Sequence, residues 1–338
     1  MKRTLSKFKI RAVIDWIDIK IHTSRPTQQQ WVQAELRKLL RLPAESPDIY
    51  VEALDKAAGS TANAFRLRLH DESANRASAI HRISEGLAAR FGEGSPAEVV
   101  GVEIAIDFYS RKNDSASLRG LTYRLQTSLS VDGLKPRQFD PSLRQNRWLD
   151  DRYQRIDPNL SLRLGNRWDD VSWQVYWKRV DAGRALPAPL ERARAEVTLS
   201  QAALVGFRIE RLCDLVGVRF ETFAHLFRFR VPVDECELAR SDKFVLTAVR
   251  ANRRVNDASP GRGMHSYRPL GRRDRRGRLR LESRHVKADI ELTKVVDRSL
   301  RHLTDRFTNN FSNAPYSKPC RVSFKKLSPI NCNNMTLK

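Results

Sequence analysis

Gly101-Val102-Glu103-Ile104-Ala105-Ile106-Asp107-Phe108-Tyr109 lies within a run, Glu98 to Tyr109, whose apolar residues fall at every second position. Val102, Ile104, Ile106 and Phe108 alternate with Glu103, Ala105, Asp107 and Tyr109. A strand turns successive side chains to opposite faces, so this period predicts a strand with one apolar face and one face bearing two carboxylates and a phenol. Acids placed inside a sheet need a partner, and the partner decides what the sheet does.

Working outward, Arg11 to Ile21 alternates less regularly around Val13, Ile17, Ile19 and Ile21, and its β-branched content predicts a second strand. Further extended segments fit Ile49 to Leu54, Ala64 to Leu69, Leu118 to Val131, Leu160 to Leu164, Val171 to Arg179 and Arg192 to Leu199. Helical spacing follows Thr27 through Trp31, Leu36 and Leu40, and again from Ala74 to Phe91, where Gly92 stands in the stop position. A helical region is expected between Leu204 and Arg230, and an amphipathic helix between Val286 and Phe311. Few long helical patterns interrupt the strands, which points to an α+β fold: a largely antiparallel central sheet with helices packed on one side, plus a basic C-terminal extension containing a helix. We divide the 338 residues into 1–235, carrying the sheet, and 236–338, a basic region ending in a poorly ordered tail.

The charge is uneven. Lys and Arg number 62 against 39 Asp and Glu, a formal charge of +23, which makes nucleic acid the default partner. From Arg240 onward there are 24 basic and 8 acidic residues, leaving a surplus of only 7 for the first 239. Cys213, Cys236, Cys320 and Cys332 show neither metal-ligand nor disulfide spacing, so they read as reduced thiols of a cytoplasmic protein. The basic start, Met1 to Ile10, runs into Asp15 and Asp18 rather than into an apolar core, and no run is long enough to span a bilayer, so no membrane partner is expected.

Three segments carry possible chemistry. In the first, Glu103 and Asp107 are four residues apart, about 13 Å on a regular strand, too far to hold one ion without a bulge or bend. One exposed acid and one paired with an arginine is the plainer alternative. In the second, Trp173-Gln174-Val175-Tyr176-Trp177-Lys178, the strand period puts Tyr176 and Lys178 on one face, where a cation lowers the cost of ionising a phenol; simple packing is the alternative. The third, Arg192 to Leu199, places Glu196 on a face with Arg194 and Thr198. The last two converge if they pair as a hairpin across Asp181 to Leu190. Tyr109, Tyr123 and Tyr153 are rival nucleophiles, Tyr109 the strongest because it shares a face with Asp107.

Taken in order, Val102-Glu103-Ile104-Ala105-Ile106-Asp107, Gln174-Val175-Tyr176-Trp177-Lys178 and Arg194-Ala195-Glu196-Val197-Thr198-Leu199 resemble motifs of the replication initiation factor family, the tyrosine-nucleophile rolling-circle initiators of plasmids and filamentous phages. The resemblance covers roughly residues 10 to 230. It implies an enzyme that nicks one strand of a supercoiled origin, holds the 5′ phosphate on tyrosine, leaves a 3′ hydroxyl for a polymerase and later rejoins the strand. It also implies Mg2+ or Mn2+ as cofactor, Tyr176 as nucleophile, Lys178 as its electrostatic helper, and Glu103, Asp107 and Glu196 as candidate metal ligands. Supercoiled and single-stranded DNA are the implied partners, with a host helicase or polymerase and a possible homodimer. The first acid is Glu where the family has Asp more often, and the seven histidines are scattered, with no His-x-His pair.

The segment Arg262 to Arg280 contributes Arg262, Arg268, Arg272, Arg273, Arg275, Arg276, Arg278 and Arg280, guanidinium forks suited to a phosphate backbone. Neutralising about six phosphates gives log K a slope of about −5 against log salt on duplex DNA. A non-enzymatic basic DNA- or RNA-binding protein, with structural acids and tyrosines, is the alternative from another class; a metal-dependent nuclease using water is a third.

Overall fold

The computed structural model describes residues 5–42, 50–55, 61–129, 136–140, 144–148, 156–166, 169–181, 183–232 and 286–309. Among the described residues there are thirteen strands: β1 (Phe8–Gln28), β2 (Tyr50–Ala53), β3 (Thr61–His70), β4 (Glu93–Ser110), β5 (Pro136–Asp140), β6 (Gln145–Trp148), β7 (Ser161–Leu164), β8 (Val171–Lys178), β9 (Val180–Asp181), β10 (Arg184–Ala185), β11 (Arg192–Ser200), β12 (Arg230–Pro232) and β13 (Val286–Ala288). Nine of them form one sheet in the order β2-β3-β1-β4-β11-β8-β7-β5-β6, with antiparallel pairing throughout. The helices are α1 (Gln29–Leu40), α2 (Asp71–Ala74), α3 (Ala77–Phe91), α4 (Ser115–Ser128), α5 (Gln201–Gly206), α6 (Leu212–Val216) and α7 (Ile290–Asn309). The antiparallel sheet with helices on one side is the expected α+β architecture.

The apolar face is continuous across the central strands. Ile104 and Phe108 of β4, Ala193 and Val197 of β11 and Val175 of β8 are buried beneath Leu118, Leu121 and Leu125 of α4. The expectation of an extended segment from Leu118 to Val131 is overturned, because those three leucines follow helical spacing. Asp114 caps the helix, accepting from the Ala116 and Ser117 amides at 3.0 and 3.2 Å. Helix α3 lies close enough to α1 that a Cβ at Gly86 would fall 2.5 Å from the Leu39 side chain, so only glycine fits there without rearrangement.

Helix α7 packs on the same core. Leu292, Leu300, Leu303 and Phe307 are fully buried, and the Phe307 ring meets Phe220 edge-on at 5.3 Å between centroids. Thr304 accepts the Phe220 amide at 2.8 Å, and Arg306 donates to the Ala12 carbonyl of β1. This covers a stretch of β1 that extends past the end of β3, where backbone groups would otherwise face no neighbouring strand.

Candidate active site

Opposite the helices, the sheet presents a face of charged and polar side chains, and the register of β4, β11 and β8 fixes who sits beside whom. Asp107, Arg194 and Tyr176 form one row, and Ala105, Glu196 and Gln174 form the next. Glu103 and Thr198 stand in the row beyond. The small Ala105 leaves room above it, and Glu103 and Glu196 reach toward each other diagonally. A third carboxylate joins them from β1. Ligand oxygens of Asp15, Glu103 and Glu196 all lie within 4.8 Å of one another.

Asp15 reaches this position through a β-bulge. Ile14 pairs with Ile104 and Trp16 with Glu103, so Asp15 is an extra residue with no opposite number on β4. Before the bulge the buried apolar residues of β1 are even-numbered, Phe8, Ala12 and Ile14; after it they are odd-numbered, Ile17, Ile19 and Ile21. Asp15 and Trp16 therefore both project to the polar face. The side-chain amide of Asn75 holds the distortion, donating to the Ile14 carbonyl at 2.6 Å and accepting the Ile14 amide at 2.9 Å.

Arg194 is the electrostatic hub. Its guanidinium binds Asp107 through two hydrogen bonds, 2.5 and 2.8 Å, and also reaches Asp15 at 2.5 Å and Glu196 at 3.2 Å. Burial opposes its charge, but Asp107, Asp15 and Glu196 together outweigh burial and hold it protonated. Asp107 also has Arg192 at 3.3 Å, so this acid is neutralised by two arginines and stands outside the group of three. Asp15 is held below the usual carboxylate range, since Arg194 and Lys178 overcome its burial.

Glu103 and Glu196 are in the opposite condition. Burial, then the neighbouring Glu196 charge, pushes the Glu103 carboxyl up to about 8, although Thr198 donates to it at 2.6 Å. Burial likewise raises Glu196. Its carboxylate accepts the Tyr176 hydroxyl at 2.7 Å. Burial, then the Glu196 charge, raises the phenol far above its ordinary value, so Tyr176 is held neutral as a donor.

The sequence-based candidates are thus distributed as follows. Tyr176, Glu103 and Glu196 come together with Asp15, which sequence reasoning did not select. Lys178 shares their face, and its ammonium lies 3.1 Å from Asp181. The Tyr109 hydroxyl donates to Asp107 at 3.2 Å rather than to any of the three acids, and its ring lies under Arg192. Tyr123 lies on α4 against the core. Tyr153, the arginines from Arg262 to Arg280 and the C-terminal tail lie outside the described residues.

Three clustered carboxylates with two of them raised are an oxygen-only donor set short of positive charge, and Mg2+ or Mn2+ suits it. Asp15, Glu103 and Glu196 would hold such an ion.

No known sequence family matches the chain, and no curated protein does. Among solved structures it is similar to one described as the rolling circle replication initiator protein from Geobacillus stearothermophilus. The two are 13% identical, the overlap spans 72% of this chain and 97% of that one, and the TM-score is 0.34. No helix among the described residues is long and apolar enough to cross a membrane.

Proposed function

We propose that the protein is a metal-dependent DNA strand-transferring endonuclease that initiates rolling-circle replication by nicking and rejoining one strand through Tyr176. The observation that carries the reading is the 2.7 Å hydrogen bond from the Tyr176 hydroxyl to Glu196, within a group of three carboxylates on the polar sheet face. A nucleophilic phenol needs a base within hydrogen-bond reach and relief from the cost of its developing charge. Glu196 is the base. Arg194, in the adjacent register position, already acts to lower the Tyr176 pKa.

The chemistry balances with these groups. Glu196 takes the phenol proton as the Tyr176 oxygen forms its bond to phosphorus and the bond from phosphorus to the 3′ oxygen breaks; the proton then passes to that departing oxygen. A 5′ phosphotyrosine and a 3′ hydroxyl result, and the reverse reaction rejoins the strand with no outside energy source. Asp15, Glu103 and Glu196 would hold a divalent ion, which when bound would neutralise the acids and polarise the phosphate. The basic run from Arg262 to Arg280 adds contacts to the DNA backbone that carry little sequence information.

The test is incubation of the full chain with supercoiled origin DNA and Mg2+ or Mn2+. Expected are a nick and a protein covalently attached at its 5′ end, both lost in Tyr176→Phe. Nicks without attached protein, retained in Tyr176→Phe and lost in Glu103→Ala, identify water as the nucleophile. Salt-sensitive binding with no nick identifies a non-enzymatic binding protein.

A further inference from the structure

The row of residues that contains Glu196 continues past Tyr176's strand. Glu196 pairs with Gln174, Gln174 with Arg163 of β7, and Arg163 with Arg137 of β5. Directly opposed residues of a sheet share a face, so both arginines project on the side that bears the three acids. Their strands follow β8 at intervals of about 4.8 Å. Leu162 pairs with Val175 and Arg163 with Gln174, so Arg163 stands diagonal to Tyr176 on the neighbouring strand, where the charges of Glu196 and Tyr176 both favour its cation.

The other cations around Tyr176 have carboxylate partners. Arg194 binds Asp107, Asp15 and Glu196; Lys178 has Asp181; Arg192 has Asp107. Arg163 differs. No carboxylate lies within ion-pair distance of it among the described residues, and its Nε is buried without a hydrogen-bond partner. Its guanidinium carbon lies 4.1 Å from the centroid of the Phe139 ring, a stacking contact that orients the fork and satisfies none of its donors. Arg137, anchored to Asn166 at 2.9 Å, adds a second positive charge alongside. Burial first, and Arg137 next, disfavour the Arg163 cation. Two arginines side by side, one lacking an acceptor, are a surface waiting for an anion.

We infer that Arg163 is the residue that binds the scissile phosphodiester, donating to a nonbridging oxygen while Tyr176 attacks the phosphorus. This rests on the reading of Tyr176 as nucleophile. Arg163 exchanges no proton in the step; it holds the phosphate between the acids and the arginine pair and stabilises the added negative charge as the bond to phosphorus forms. The site thereby has acids and a base on one side of the phenol and an oxyanion receptor on the other.

Single-turnover cleavage of an oligonucleotide carrying the mapped nick site tests the inference, using the full chain and two substrates. One has an ordinary phosphodiester at the nick; the other has a methylphosphonate there, with one charged nonbridging oxygen replaced by methyl. Arg163→Ala is expected to slow the phosphodiester about 100- to 1000-fold with a much smaller change in KM, as removal of one oxyanion donor does. On the methylphosphonate, parent and variant are expected to react at similar rates, and Arg163→Lys is expected to recover part of the loss. Equal losses on both substrates, or a loss of affinity at an unchanged rate, overturn the inference. Where Arg163→Ala does not fold, the same comparison is made with Arg163→Lys, which keeps the stem and the charge. Tyr176→Phe separates the two claims: if it still cleaves, the nucleophile reading fails, whereas an inactive Tyr176→Phe beside an unimpaired Arg163→Ala removes Arg163 alone.

Discussion

Replacing Glu103 by Gln removes the charge that the site leaves least compensated. Burial, reinforced by Glu196, lifts the Glu103 carboxyl from its ordinary 4.5 to about 8. Between those values the folded protein keeps a proton that the unfolded chain releases. The free energy of unfolding therefore falls as pH rises, by about 1.4 kcal/mol per pH unit. The stabilising contribution is complete below the unfolded value and gone once pH passes through the folded one. From about pH 6 to about pH 9 this covers about two units of titration, so without divalent ions the parent loses about 3 kcal/mol relative to Glu103→Gln. The amide of the variant keeps an oxygen to accept the Thr198 hydroxyl and has no charge to desolvate. Urea unfolding in chelator across that pH range measures the difference. Adding Mg2+ or Mn2+ is expected to raise the stability of the parent and leave the variant nearly unchanged, since the ion binds the folded site alone. A parent-to-variant difference that stays flat with pH refutes the reasoning.

Three further perturbations probe the supports of the site. Arg194→Met strands Asp107, Asp15 and Glu196 without their guanidinium, and should cost about 3 to 5 kcal/mol in urea unfolding; a loss under about 1 kcal/mol contradicts its place as hub. Asn75→Ala leaves the Ile14 amide and carbonyl unpaired, with an expected cost of about 1 to 3 kcal/mol and weaker Mn2+ binding by calorimetry, because Asp15 loses its fixed bulge; unchanged Mn2+ affinity shows that the bulge holds itself. Phe307→Ala removes a fully buried ring between α7 and the sheet, and should lower stability by about 3 to 5 kcal/mol; a neutral result shows that α7 contributes nothing to the core.

The strands that carry the site were legible because their faces differ so sharply. Alternation in Val171 to Arg179 and Arg192 to Leu199 matches β8 and β11 nearly end to end, Glu98 to Tyr109 matches β4 without its first five residues, and the antiparallel pairing of β8 with β11 follows from the connection between them. Asp15 was not found because period-two reasoning assumes an unbroken strand. Its signal was masked: apolar residues at Ile10, Ala12 and Ile14 give way to Ile17, Ile19 and Ile21, the change of parity that an extra residue produces, but the apolar Val13 continues the odd-numbered series backward and hides the break. The segment from Leu118 to Val131 was misread because Leu, Thr and Tyr suit either state, and the deciding spacing of Leu118, Leu121 and Leu125 is short. Arg163 was invisible for another reason. Its distinction lies in what its neighbours leave unpaired, and pairing across five strands is a property of the assembled sheet.

The most direct measurement is recovery of the covalent intermediate. The full chain is incubated with origin DNA and Mn2+, trapped with denaturant and digested, and the residue carrying the nucleotide is located by mass spectrometry. The expected adduct is a 5′ phosphate on Tyr176, absent in Tyr176→Phe and absent in chelator. A nucleotide on Tyr109 or any other residue, or efficient nicking with no adduct at all, contradicts the assignment.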